Sequence, residues 1–219
     1  SYAASDYFIP NEYDKLMSII GAQGTNAYTS TDMTVYVEDI PSNQIENWAR
    51  IEADRFMNPV IRGFHTELET VYEEKNMSLT RDFRKALETM DGMLFPDHPY
   101  GTQTVLGTQE HLKNPSITNI KNYHKTYYVP NNMAICLSGD FDPDEMVSII
   151  EKYFGQMKPN ENLPELTLQT THVIESPMEK EVLGLDAENI MIGWKYPGAT
   201  SKDAIVADVV SAILYNGTA

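Results

Sequence analysis

The sequence predicts an α+β fold in which helices cover one face of a mainly antiparallel sheet. Three observations lead there: long helical stretches separate a few short strand-like runs, the runs do not alternate regularly with helices, and no Gly-rich phosphate loop follows a strand. With 219 residues the chain can hold one large domain, or one domain and the start of another. An apolar share of 42%, with 13 Tyr, 7 Phe and 2 Trp, supplies a core and excludes a disordered protein.

The first helix is predicted over Ile9 to Ile20, started by Pro10 and Asn11, with Tyr13, Leu16, Met17 and Ile20 at helical spacing. Gly21 and Gly24 break it. Asn26 to Glu38 reads as extended strand, because Met33, Val35 and Val37 alternate with Thr34, Tyr36 and Glu38. A second helix follows Pro41, with Asn43 as N-cap, Glu46 three residues on, and Ile45, Trp48, Ile51 and Phe56 as its apolar stripe. From Phe64 to about Met90 a Glu, Lys and Arg-rich stretch without Pro or Gly predicts a long helix, ended by Gly92, Pro96 and Pro99.

Ser116 to Tyr127 predicts another helix, and Pro130-Asn131-Asn132 then turns the chain into a buried strand, Met133 to Leu137. Asp142-Pro143-Asp144-Glu145 combines an N-cap, a proline at the first helical position and early acidic residues, opening a helix that stops at Gly155. Prolines 159, 164 and 177 mark a linker region, with a strand-like run near Leu166 to Val173. Asn189 to Trp194 is predicted as a strand and Asp203 to Leu214 as a helix. The division is therefore 1–165, a linker 166–181, and a second unit 182–219 too small to enclose a core by itself.

Acidic residues outnumber basic ones 32 to 16 along the whole chain, so a nucleic-acid backbone meets net repulsion and is not expected as a partner. The single cysteine, Cys136, lies in an apolar run and reads as a small buried hydrophobe. No apolar run reaches the roughly 18 residues of a membrane span, and no signal-peptide pattern opens the sequence. The compartment is left open between periplasm and cytoplasm.

Chemistry is most legible in Phe64 to Asn76. Glu67 and Glu74 are seven residues apart, nearly two helical turns, so both carboxylates project from one face about 10 Å apart along the axis. On spacing alone a solvated acidic helix face accounts for them better than a site does.

The segment resembles the glutamate-bearing helix of the pitrilysin/insulinase (inverted zincin) zinc metallopeptidases. The resemblance implies that Glu74 is a zinc ligand and Glu67 a supporting carboxylate that orients the site. Upstream, Gly21 to Ser30 followed by Asp32-Met33-Thr34-Val35-Tyr36 is similar to the family's Gly-x-x-x-Asn-Ala-x-Thr and Thr-x-Tyr signature. In the family this strand lies at a sheet edge and pairs with an extended substrate, which implies peptide contacts at Asn26, Ala27 and Tyr28. Ala53-Asp54-Arg55-Phe56, His98-Pro99-Tyr100-Gly101 with Gly107, Tyr127 to Met133 and Ser138-Gly139-Asp140 match in order, and Ile190 to Leu214 resembles the start of the second homologous half.

One departure matters. The family's His-x-x-Glu-His motif, which carries two zinc ligands and the general base, is absent, and the five histidines, His65, His98, His111, His124 and His172, are scattered. In the family that motif precedes the Asn-Ala strand, so the resemblance implies a truncated LuxS/mitochondrial processing peptidase-like fold that begins after it. The complete protein is expected to be a zinc peptidase acting on peptides or small proteins, together with its C-terminal half or a homologous subunit. This stretch alone is expected to bind zinc poorly and to be inactive, with its acidic pair buried and unbalanced in a cleft. The alternative is a non-catalytic structural or peptide-binding homologue.

Overall fold

A computed structural model describes residues 3–4, 9, 12–61, 64–165 and 172–215. In chain order the elements are β1 (Ala3–Ala4), α1 (Glu12–Ile19), β2 (Gln23–Thr29), β3 (Thr34–Asp39), α2 (Ile45–Met57), β4 (Val60–Ile61), α3 (Phe64–Leu79), α4 (Asp82–Leu94), α5 (Pro99–Thr102), α6 (Gln109–Lys113), α7 (Ile117–Tyr127), α8 (Pro143–Phe154) and α9 (Lys202–Leu214). Short 3-10 turns occupy Ser42–Gln44 and Pro130–Asn132. Among the described residues, strands pair only as two antiparallel two-stranded ladders, β1 with β4 and β2 with β3. The fold is α+β with helices dominant.

The chain divides into two compact units, 1–77 with 105–167, and 78–104 with 168–219. In the first unit, Tyr13 and Met17 of α1 and Ile51 of α2 form the core, with Leu16, Ile40 and Trp48 packed around them. Helix α2 also packs on α8, where the Trp48 and Phe154 rings lie 6.2 Å apart. The predicted start of α8 is found as expected: Asp142 Oδ1 accepts from the amides of Asp144 and Glu145 at 2.9 and 3.0 Å, satisfying two otherwise orphaned N–H groups.

Several expectations are corrected. The single strand over 26–38 is a hairpin, because Ser30 closes a turn: its amide donates to the Met33 carbonyl at 2.8 Å, and its hydroxyl accepts from the amides of Asp32 and Met33. Asn43 does not cap α2 but sits in the 3-10 turn before it, where no side-chain cap bond forms. The long helix from Phe64 is broken between α3 and α4, where Arg81 is extended (φ −91°, ψ 113°). Asp82 there accepts from the amides of Leu185 and Asp186, a tertiary clamp with no local signal.

Met133 to Leu137 forms no strand and Cys136 is exposed, although Met133 is extended at φ −126°, ψ 152°. An extended segment becomes a strand only where a neighbour takes its backbone hydrogen bonds, and none of the described residues does. Asn189 to Trp194 is likewise unpaired. Pro10, Asn11 and most of the run from Leu166 lie outside the described residues.

In the second unit the segment 190–196 alternates. Met191, Gly193 and Lys195 are the covered positions, with Gly193 against Met90 and Leu94 of α4, while Ile192 and Trp194 are exposed. Lys195 Nζ donates to the His172 carbonyl at 2.9 Å and lies over the Phe95 ring. Ser201 caps α9, accepting from the Ala204 amide, yet Ile205, Val209 and Ile213 are exposed. Among this unit's described residues only His98 and Ala204 are buried.

Candidate metal and peptide site

Helix α3 runs without Pro or Gly and carries both acidic candidates. Glu67 is half-buried and lines an open cavity of about 370 Å³ together with Phe64, Leu68 and Val71 of its own helix, His111, Leu112, and Ile120 of α7. Glu74, two turns on, is exposed and does not line this cavity. The expected cleft with two buried carboxylates is therefore not formed by the described residues: the covering by Leu112 and Ile120 reaches Glu67 and Val71 but not Glu74, which is left exposed.

The histidines stay apart. His65 is exposed, edge-on to Phe64. His98 is buried, and its Nδ1 accepts from the Tyr100 amide at 3.2 Å, which starts α5. His124 stacks on Tyr128, with ring centroids 4.5 Å apart and planes 8° from parallel, and burial lowers its pKa. Among the described residues no three His, Cys, Asp or Glu side chains converge in a group that could hold a metal. Glu74 offers one carboxylate where a hydrolytic zinc needs three protein ligands, so these residues do not make a zinc site by themselves.

The peptide candidates lie together on β2. Asn26, Ala27 and Tyr28 pair with Val37, Tyr36 and Val35 of β3, and all three are exposed. The other edge of β2 has no ladder partner among the described residues. Residues paired across an antiparallel ladder share a face, so Ala27 lies on the side of Tyr36 and Glu38, while Asn26 and Tyr28 lie on the opposite side.

A buried polar cluster stands behind this hairpin, and although the sequence places Tyr13, Trp48, Glu38 and Arg55 each on an element or in a motif, it does not foretell their joint burial. Glu38 of β3 accepts from the Tyr13 hydroxyl and from Trp48 Nε1, each at 2.5 Å. Arg55 of α2 donates through Nε and Nη2 to Glu52 Oε2, and its Nη2 lies 3.9 Å from Glu38 Oε1. The guanidinium sits 4.9, 4.5 and 4.5 Å from the ring centroids of Tyr13, Tyr36 and Phe56. Burial first, and then the nearby Glu52 carboxylate, push the Tyr13 hydroxyl pKa up. Burial also raises that of Glu52, whose Oε1 finds no hydrogen-bond partner among the described residues. The available signal was Glu52 and Arg55 at i, i+3 on the inward face of a helix.

Residues 116–219 match the family model described as the Peptidase M16 inactive domain. The chain is 25% identical over 219 residues to the zinc protease PqqE of Helicobacter pylori, covering 94% of this chain and 47% of that protein. It is 27% identical over 204 residues to a probable mitochondrial-processing peptidase subunit beta of Schizosaccharomyces pombe, covering 87% and 43%. The chain is similar to M16, or pitrilysin/insulinase, peptidases over most of its length. It spans about half the length of these relatives. The fold is shared with a protease from H. pylori (TM-score 0.71, 21% identity, 77% of this chain and 41% of that one). It is also shared with the first half of the periplasmic protease PqqL from Escherichia coli (TM-score 0.70, 17% identity, 78% and 38%). Asn26 to Tyr28, Glu67 and Glu74 precede the stretch matched by the family model. No helix is long and apolar enough to cross a membrane among the described residues.

Proposed function

We propose that this chain is part of a zinc-dependent metallopeptidase that hydrolyses peptides or small proteins. In this reading Glu74 is a metal ligand, Glu67 is the carboxylate that orients the site, and Asn26, Ala27 and Tyr28 present an edge to which an extended peptide adds as a strand. The observation that carries it is the open, exposed edge of β2, on a chain whose relatives include a zinc protease.

The remaining zinc ligands and the general base must come from residues outside these 219, since no His-x-x-Glu-His occurs among them. This chain alone is accordingly proposed to be inactive. Residues 1–165 are read as part of the first half-domain and 182–219 as the start of a homologous second, with the C-terminal half of the same protein or a homologous subunit as partner. The exposed apolar residues of α9 support that division.

Zinc analysis of the purified complete protein and of Glu74→Gln tests the assignment. The substitution keeps the side chain's size and removes its charge, so bound zinc should fall at least tenfold. Unchanged zinc content removes Glu74 from this role.

A second reading, a non-catalytic structural or peptide-binding homologue, draws support from the match to a domain model described as inactive. It predicts that the complete protein, supplied with zinc, leaves a fluorogenic peptide uncut, whereas the first reading predicts cleavage lost in Glu74→Gln.

A further inference from the structure

The β2–β3 ladder contains a register shift. Gln23 pairs with Asp39 and Asn26 with Val37, so Gly24 and Thr25 together face the single residue Glu38. This is a β-bulge, and Gly24 adopts the positive φ (63°) that such a bulge asks of its first residue. A bulge bends its strand and sets where the next residues point, and the next residues here are Asn26, Ala27 and Tyr28.

Glu38 is also the strand residue most firmly held from behind. Its side chain is 7% exposed. One oxygen takes the Tyr13 hydroxyl of α1 and the other takes the Trp48 indole of α2, with Arg55 of α2 alongside. Two helices thus grip the one residue that sits opposite the bulge.

We propose that Glu38 is a positioning residue for peptide binding: by tying β3 to α1 and α2 opposite the Gly24–Thr25 bulge, it sets the aim of the Asn26 to Tyr28 edge. The inference rests on the strand-addition reading above and adds to it a residue that need not touch the peptide. A carboxylate suits the task because it can accept from both helices at once, where an alanine would leave the Tyr13 and Trp48 donors unpaired.

The test uses the complete protein, its Glu38→Ala variant, and Met146→Ala, which removes a buried side chain of α8 far along the chain from the hairpin. Two quantities are measured: amide hydrogen exchange of Asn26 and Tyr28, and the Kd of a dye-labelled decapeptide with EDTA present so that nothing is cut. Glu38→Ala should speed exchange at the Asn26 and Tyr28 amides, which face β3, at least tenfold and weaken the peptide at least fivefold, while Met146→Ala leaves both within twofold. Unchanged exchange or unchanged affinity in Glu38→Ala overturns the inference, as does an equal loss in Met146→Ala. A decapeptide N-methylated at alternate amides separates the two levels. If the unsubstituted protein binds it as tightly as the plain peptide, or binds neither, the strand-addition reading itself fails.

Discussion

Trp48 Nε1 donates to Glu38 Oε2 at 2.5 Å, joining the first turns of α2 to the end of β3. The bond places a carboxylate of β3 inside the helical layer, beside the partly buried Tyr36. Trp48→Phe keeps most of the packing against Phe154 and deletes the donor. The loss should be about 1–3 kcal/mol, the usual effect of stranding one partner of a buried charged hydrogen bond. Urea unfolding followed by circular dichroism measures it, and a change below about 0.5 kcal/mol would mean that water replaces the indole.

Burial lowers the pKa of His124, which lies flat on Tyr128. Because the folded value is depressed, the unfolded chain binds the proton more readily. Stability is therefore full above the ordinary value of 6.5 and declines as pH falls below it toward the folded pKa. Urea midpoints at pH 7.5 and pH 5 should differ in that direction, and His124→Phe should flatten this part of the difference.

Asp82 is pulled down to about 2 by its bond to Lys85, then by the amides of Asp186 and Leu185. With the folded value below the unfolded 3.8, its contribution is present above about pH 4 and lost as pH falls through 2. The amide resonances of Leu185 and Asp186 should accordingly titrate with a midpoint near 2. A midpoint near 3.8 would show that the clamp does not hold in solution.

Gly101 follows the turn started by His98, and a Cβ there would run into the carbonyl oxygens of Phe95 and Asp91. Backbone atoms cannot step aside as side chains do, so Gly101→Ala should destabilise by about 1–3 kcal/mol. Gly198, with nothing within 4 Å of the same added atom, is the control. Gly198→Ala should leave the melting temperature within about one degree of the parent.

What was legible in the residues was local. The Asp142-Pro143 start of α8, the helices at 45–57 and 117–127 and the acidic pair on α3 follow from capping chemistry and periodicity, which act over three or four neighbours. The break at Arg81 and the unpaired state of 133–137 and 189–194 do not, because each depends on a partner far away in sequence or missing from the described chain. Cys136 was misread for that reason: an apolar run is buried only if something covers it.

The sequence by itself carried the resemblance to the pitrilysin/insulinase peptidases, through motifs such as Asn26-Ala27 and Glu67 to Glu74, and it supplied the candidates for metal and peptide binding. Only the tertiary structure decided which of them meet. It gathered Glu38, Glu52, Arg55, Tyr13 and Trp48, spread over 43 positions, into one buried cluster behind a bulged edge strand, and it left Glu74 in solvent. The physical reason is that helix starts and turns are set by bonds between near neighbours, whereas desolvating charged groups requires surfaces that only chain folding brings together.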